Sequence, residues 1–174
     1  YLFTGLPAGS YRVRFQSPAN FVYTRPHVGS DPSVDSDALA DGWTAPLALA
    51  AGETNITLDA GLFEGASLYG LAWNDVNANG IREAGEPLVA GAVFTLLTNG
   101  QPLATWTTTV DGAYSFVNLR PGAYAVHGRP PAGYVVSPKH AGDPVVDSDF
   151  HPGTMLADPR MLDFGGIATN VDLG

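Results

Sequence analysis

Between residues 75 and 86 oxygen-bearing side chains recur at alternate positions: Asp75, Asn77 and Asn79. Gly80 follows, where a sharp turn favours a residue without a Cβ. Ile81 would offer its backbone carbonyl, Glu83 a carboxylate acting directly or through water, and Glu86 both oxygens of a carboxylate. An oxygen-only donor set suits a hard dication, which takes six to eight oxygen ligands at roughly 2.3–2.6 Å. The order of residue types fits the twelve-residue calcium-loop pattern at every specified position. Ca2+ is therefore the cofactor expected of this chain.

The flanks exclude the helical version of such a loop. Leu68–Trp73 on the entering side is short and contains Gly70, and Pro87 stands where an exiting helix would have to continue. The loop is expected to join strands.

A second pattern is Asp35-Ser36-Asp37, which returns as Asp147-Ser148-Asp149. In an extended segment two carboxylates at i and i+2 point to one side. Such a pair repels, raises a pKa or binds a cation. Its recurrence at matched places favours the cation. Catalytic uses find little support. A glycosidase would need its two carboxylates around a substrate cleft, but these acids sit in strand-end loops without a nearby aromatic cluster. His27, His140 and His151 lie in proline-rich loops and His127 in a strand, with no nucleophile motif beside them. Catalysis is not expected.

Composition sets the frame around these residues. The chain has 174 residues, 45% of them hydrophobic, with 21 glycines and 14 prolines. That is enough apolar material for a core and too much helix-breaking for a helical protein. Runs such as Gly91–Thr98 read as strands, and the fold class is all-β. The absence of cysteine removes disulfides, thiolate metal sites and thiol nucleophiles. A net charge of −9 disfavours nucleic acid and anionic lipid as partners. No apolar run approaches the roughly 20 residues of a membrane span.

The chain repeats itself. Tyr1–Tyr11 returns as Tyr114–Tyr124, Val13 as Val126, and Asp31–Asp37 as Asp143–Asp149. Asn55 and Asp59 match Asn170 and Asp172 with a short gap. This spacing means tandem domains rather than a solenoid. The first, residues 1–63, reads as the C-terminal half of a repeat. The second, residues 64–174, reads as a complete repeat carrying the calcium loop. Within it, strands are expected at Leu68–Trp73, Ala92–Thr98, Leu103–Thr109, Ala113–Val117, Ala123–Gly128, Tyr134–Ser137 and near Ile167–Leu173. The turn Asn99-Gly100 should close a hairpin. Seven short strands with frequent turns argue a β-sandwich. Trp73 and Trp106 are expected in its core or between its sheets, and Trp43 falls in a segment without an evident match. Leu2, Phe3 and Leu6 are expected on strands of the first copy.

Three pieces carry a family resemblance. They are Trp73–Arg82 with Gly85-Glu86-Pro87, Asp111–Phe116 with Leu119 and Pro121–Tyr124, and Asp147-Ser148-Asp149 with Asn170 and Asp172. Together they resemble the SdrD B-like repeats of serine–aspartate-repeat surface proteins, relatives of the collagen-adhesin B, prealbumin-like domains. The resemblance implies an extracellular, immunoglobulin-like sandwich in which calcium ions stiffen domains into a stalk. It also implies that Asp31 or Asp143, just upstream, and Asp59 or Asp172, on the last strand, complete a shell with the paired aspartates. Many relatives carry a Lys–Asn crosslink from the first strand. Here Lys139 is the single lysine and lies late in the chain, so no such crosslink is expected.

The expected function is thus a calcium-stiffened structural repeat of a surface stalk, filament or layer. Its partners would be neighbouring repeats or subunits, which strand addition to the open first copy would recruit. An adhesin-type module binding protein or glycan, and an accessory module of a secreted enzyme, are the competing readings.

Overall fold

The computed structural model describes every residue from Tyr1 to Gly174. The chain forms two compact units, Tyr1–Glu64 and Gly65–Gly174. No helix is long and apolar enough to cross a membrane.

The first unit has four short strands: β1 (Gly9–Tyr11), β2 (Phe21–Tyr23), β3 (Leu47–Leu49) and β4 (Leu62–Glu64). β1 pairs with β3 and β2 with β4, both antiparallel. Glu64 stays with this unit because it faces Phe21 across that last pair. Tyr23 and Ala38 are its buried hydrophobic residues.

The second unit is a two-sheet sandwich. One sheet orders β10 (Arg160–Leu162), β9 (Gly122–Arg129), β6 (Val93–Thr98) and β7 (Gln101–Thr107). The other orders β11 (Ile167–Ala168), β5 (Ala66–Leu71) and β8 (Ala113–Leu119). Alternation puts Phe94 and Leu96 of β6, Tyr124 and Val126 of β9, Leu68 of β5, and Tyr114 and Phe116 of β8 into one buried cluster. Phe94 stacks on Tyr114 across the sandwich, with centroids 3.8 Å apart. Burying a ring of this size removes about 150–250 Å² from water, which makes this contact a main source of sandwich cohesion. The β6–β7 hairpin turns through Asn99 and Gly100 at φ of 50° and 74°, the left-handed pair that such a two-residue turn requires.

Several expectations are corrected. Tyr134–Ser137 forms no strand; Ser137 instead donates its N–H to the Gly174 carbonyl at 2.9 Å. Arg160–Leu162, in a stretch without a clear pattern, is strand β10. The last strand is interrupted: β11 stops at Ala168, Asn170 takes φ of 56°, and Leu173 rejoins beside Ala72 as an isolated bridge. Trp106 is 43% exposed on β7, every residue of which faces solvent, because β7 is the sheet edge. Trp73 is buried, as expected. Leu2, Phe3 and Leu6 lie outside strands and are exposed.

The internal repeat is visible in the hydrogen bonds. Residue n of the first unit corresponds to residue n + 113 of the second, except along the acidic segment, where Asp31–Asp37 match Asp143–Asp149 at n + 112. Phe15 N–H donates to Gly42 as Gly128 does to Met155, Thr44 to Val13 as Ala157 to Val126, and Thr24 to Gly61 as Ser137 to Gly174, all at 2.9 Å. Tyr11 and Tyr124 each donate a hydroxyl to the carbonyl four residues earlier, at 2.7 Å. Trp43 accordingly has a counterpart, Leu156: the bridge Arg14–Trp43 matches His127–Leu156. Its ring lies beneath the guanidinium groups of Arg12 and Arg14, at 5.1 and 5.5 Å, a cation–π pairing that gives the indole a structural occupation.

Candidate metal centres

Residues 75–86 form a loop between strands, closed on itself by side-chain oxygens. Asp75 accepts from the N–H groups of Asn79 at 3.2 Å and Gly80 at 2.7 Å. Asn77 Oδ1 accepts from Asn79 N–H at 3.0 Å, and Asn79 Oδ1 from Ile81 N–H at 2.7 Å. The amides of Asn77 and Asn79 both reach Glu83 Oε1, at 3.3 and 2.5 Å. Glu86 turns both oxygens inward, toward Val76 N–H at 2.8 Å and Glu83 N–H at 3.0 Å. Five side chains of the predicted set thus converge in one loop. Burial alone would raise the Asp75 pKa; the Ser137 hydroxyl and the amides of Gly80, Asn79 and Ala78 outweigh it and hold the carboxyl below its usual range.

The tip of this loop is fastened to the second acidic segment. Ile81 bridges Asp147 in antiparallel fashion: Ser148 N–H donates to Gly80 O at 2.9 Å, and Arg82 N–H to Val146 O at 2.7 Å. These bonds use the atoms flanking Ile81, so its own carbonyl is outside the ladder. Gly80 has φ of 80°, and a Cβ there would lie 2.3 Å from the Pro138 carbonyl oxygen. Only glycine fits both the turn and the close approach.

Asp147, Asp149 and Asp172 are each 2% exposed. Asp149 Oδ1 receives Arg160 at 3.1 Å and its Oδ2 receives the Asp172 amide at 2.9 Å. Asp172 Oδ1 accepts from Leu71 N–H at 2.9 Å. One oxygen of Asp147, Oδ1, is buried and accepts no hydrogen bond. Burial raises the pKa of Asp149, aided by the charge on Asp147 and opposed by the Asp172 amide and Arg160. Burial likewise pushes Asp172 up to about 6, with Asp149 and Asp147 adding to the effect and the Leu71 amide and Arg82 opposing it. Three carboxylates withdrawn from water, with a single guanidinium hydrogen-bonded among them, suit a dication.

The first unit repeats this arrangement in part. Asp59 N–H donates to Asp37 Oδ2 at 2.8 Å and Asp37 N–H to the Asp59 carbonyl at 2.7 Å. Asp35 Oδ1 is buried and without a partner, as is its counterpart on Asp147. Asp59 itself is exposed. Its counterpart Asp172 instead accepts from Leu71 N–H of β5 and is buried. Asp31 and Asp143 lie on the exposed surface, outside the groups around the paired aspartates. Each caps its own turn, accepting from Ser33 N–H at 2.9 Å and Val145 N–H at 3.0 Å.

The structure adds residues that the carboxylate pattern did not single out. His27 joins Asp35 and Asp37, and His140 joins Asp147 and Asp149, with the potential ligand atoms of each trio within 4.8 Å of one another. Arg160 covers Asp149, and Asp158 holds both His140 and Lys139. His27 and His140 stand at matching places of the repeated sequence, which was the available signal. Arg160 and Asp158 come from an unpatterned stretch and gave none.

Comparison with known proteins agrees with this architecture. The family model described as the SdrD B-like domain matches residues 1–62 and again 66–174. Serine-aspartate repeat-containing protein D of Staphylococcus aureus is 32% identical over 176 residues, covering 98% of this chain and 13% of that protein. Serine-aspartate repeat-containing protein F of Staphylococcus epidermidis is 33% identical over 177 residues, covering 97% of this chain and 10% of that protein. The chain therefore spans about an eighth or less of the curated relatives it matches.

Proposed function

The chain belongs to the SdrD B-like domain family, and from that premise we propose that it is a non-catalytic, calcium-stiffened repeat of an extracellular surface stalk, filament or layer. The observation that carries this reading is the fastening of the Asp75–Glu86 loop to the Asp147–Asp149 segment through Gly80, Ile81 and Arg82. A cation held by the loop acts on three parts of the sandwich together: the end of β5, the proline-rich crossing and the segment before Gly174.

The residues present fit calcium: Asp75, Asn77, Asn79, Glu83 and Glu86 supply an all-oxygen shell with the Ile81 carbonyl. Calcium would supply charge neutralisation and a fixed geometry for the loop. Asp75 and Glu86 orient it, Gly80 permits the close crossing, and Asp149 and Asp172 tie the last segment to β5. Asp37 and Asp59 serve the first repeat in the same way, while Asp31 and Asp143 shape the approach to each pair.

Neighbouring repeats or subunits are the proposed partners, adding a strand to the first unit, where Tyr1, Leu2 and Phe3 are 75%, 82% and 61% exposed. A second reading, an adhesin-type binding module, draws on β7, an exposed edge presenting Leu103 and Trp106.

Melting with calcium and with chelator tests the main reading. At about 100 times Kd, one site that binds only the folded chain adds roughly 2.7 kcal/mol. Coincident melting curves would overturn it.

A further inference from the structure

We infer that His140 with Asp147 and Asp149, and His27 with Asp35 and Asp37, form a second class of cation site, one that takes a first-row transition dication such as zinc in preference to calcium. This rests on the reading that the paired aspartates hold a cation, and not on calcium binding by the Asp75–Glu86 loop.

Two observations carry it. The first is the donor set. In each unit an imidazole nitrogen faces the carboxylates: His140 Nδ1 lies 3.7 Å from Asp147 Oδ2, and His27 Nδ1 lies 3.9 Å from Asp37 Oδ1. Two ligands on a tetrahedral ion with bonds of about 2.1 Å stand about 3.4 Å apart, so a small closure suffices. Calcium takes oxygen donors, whereas imidazole suits zinc and its neighbours. The second is the unpartnered Oδ1 of Asp147, on a residue 2% exposed, repeated by the unpartnered Oδ1 of Asp35.

The backbone holds both histidines alike, although His140 Nδ1 faces the first aspartate of its pair and His27 Nδ1 the second. His27 and His140 take φ of 55° and 54°, and each donates its N–H to the serine carbonyl between the paired aspartates, Ser36 or Ser148, at 2.9 Å. At His140 the far nitrogen, Nε2, lies 3.0 Å from Asp158 Oδ2. A carboxylate taking the Nε2 proton leaves Nδ1 as the lone-pair donor, the arrangement that orients metal-bound histidines. Asp149 Oδ1 also touches Arg160, so the ion shares that oxygen with a guanidinium. In the first unit the position matching Asp158 is Ala45, and His27 has no such orienting carboxylate. The two sites should therefore differ in affinity, with His140 the stronger.

The test is a calorimetric titration of Zn2+ into the 174-residue chain in saturating calcium. Two sites of unequal affinity are expected. His140→Asn should remove the stronger and His27→Asn the weaker; asparagine tolerates the left-handed backbone that both positions require. Asp158→Asn should weaken the His140 site about 10- to 100-fold and leave the other unchanged. A variant lacking His127 and His151 should bind zinc as the parent does. Calcium-dependent melting of each variant shows separately whether the fold and the loop site persist. Zinc binding that survives His27→Asn/His140→Asn, or no zinc binding by the parent chain, would overturn the inference, whatever the calcium result.

Discussion

Asp149 and Asp172 are joined by two reciprocal bonds: the Asp172 amide donates to the Asp149 carboxylate and the Asp149 amide to the Asp172 carbonyl, both at 2.9 Å. Asp37 and Asp59 repeat the pair at 2.8 and 2.7 Å. The same clasp thus closes both repeats, but only in the second does a further strand cover it. That difference organises the expected behaviour of the molecule.

Asp172 should make stability depend on pH when cations are removed. Its folded pKa of about 6 lies above its ordinary 3.8, so the folded state holds this proton more tightly. The penalty is absent below about pH 4, grows as pH rises through about 4 to 6, and is complete above that. In chelator, Asp172→Asn should therefore gain stability over the parent as pH rises from 4 to 7. The full shift corresponds to about 3 kcal/mol, an order-of-magnitude figure. Denaturant curves at several pH values check this; a constant difference would contradict it.

Glu86→Gln should weaken calcium binding more than Glu83→Gln. Glu86 aims both oxygens into the loop, whereas Glu83 contacts Asn77 and Asn79 through Oε1 alone. Calcium calorimetry on the two variants decides, and equal losses would mean that the register of the loop is wrong.

Gly80→Ala should be costly with or without cation. A left-handed backbone at a non-glycine residue costs about 1 kcal/mol or more. The added Cβ also lies 2.3 Å from the Pro138 carbonyl oxygen, which forces the crossing segment away. Stability should fall by more than about 1 kcal/mol in chelator, and calcium affinity should fall with it. A variant as stable as the parent would contradict the fastening of loop to crossing.

Hydrogen exchange should separate the units. The continuous buried cluster, from Ala66 to Leu173, lies wholly within residues 65–174. The first unit buries Tyr23 and Ala38 and exposes Tyr1, Leu2, Phe3 and Leu6. Amides of residues 1–63 are expected to exchange fast in the isolated chain, and those of β5, β6, β8 and β9 slowly. Uniformly slow exchange in a proven monomer would refute this.

The sequence by itself determined the all-β class, the Asn99-Gly100 hairpin, the internal repeat and the composition of the loop. These depend on local features: two-residue alternation, turn chemistry and the spacing of oxygen donors along one short segment. It did not reveal β10, because Arg160–Leu162 is three residues long and has only sheet pairing with β9 to define it. It misplaced Trp106, since whether an apolar strand residue is covered depends on whether its strand has a neighbour. Only the tertiary structure set Asp149 beside Asp172 and Arg160, left an oxygen of Asp147 without a partner, and turned His140 between Asp147 and Asp158. Those contacts join segments far apart in the chain, and burial, which raises the pKa values there, is a property of the packed fold rather than of any short stretch of residues.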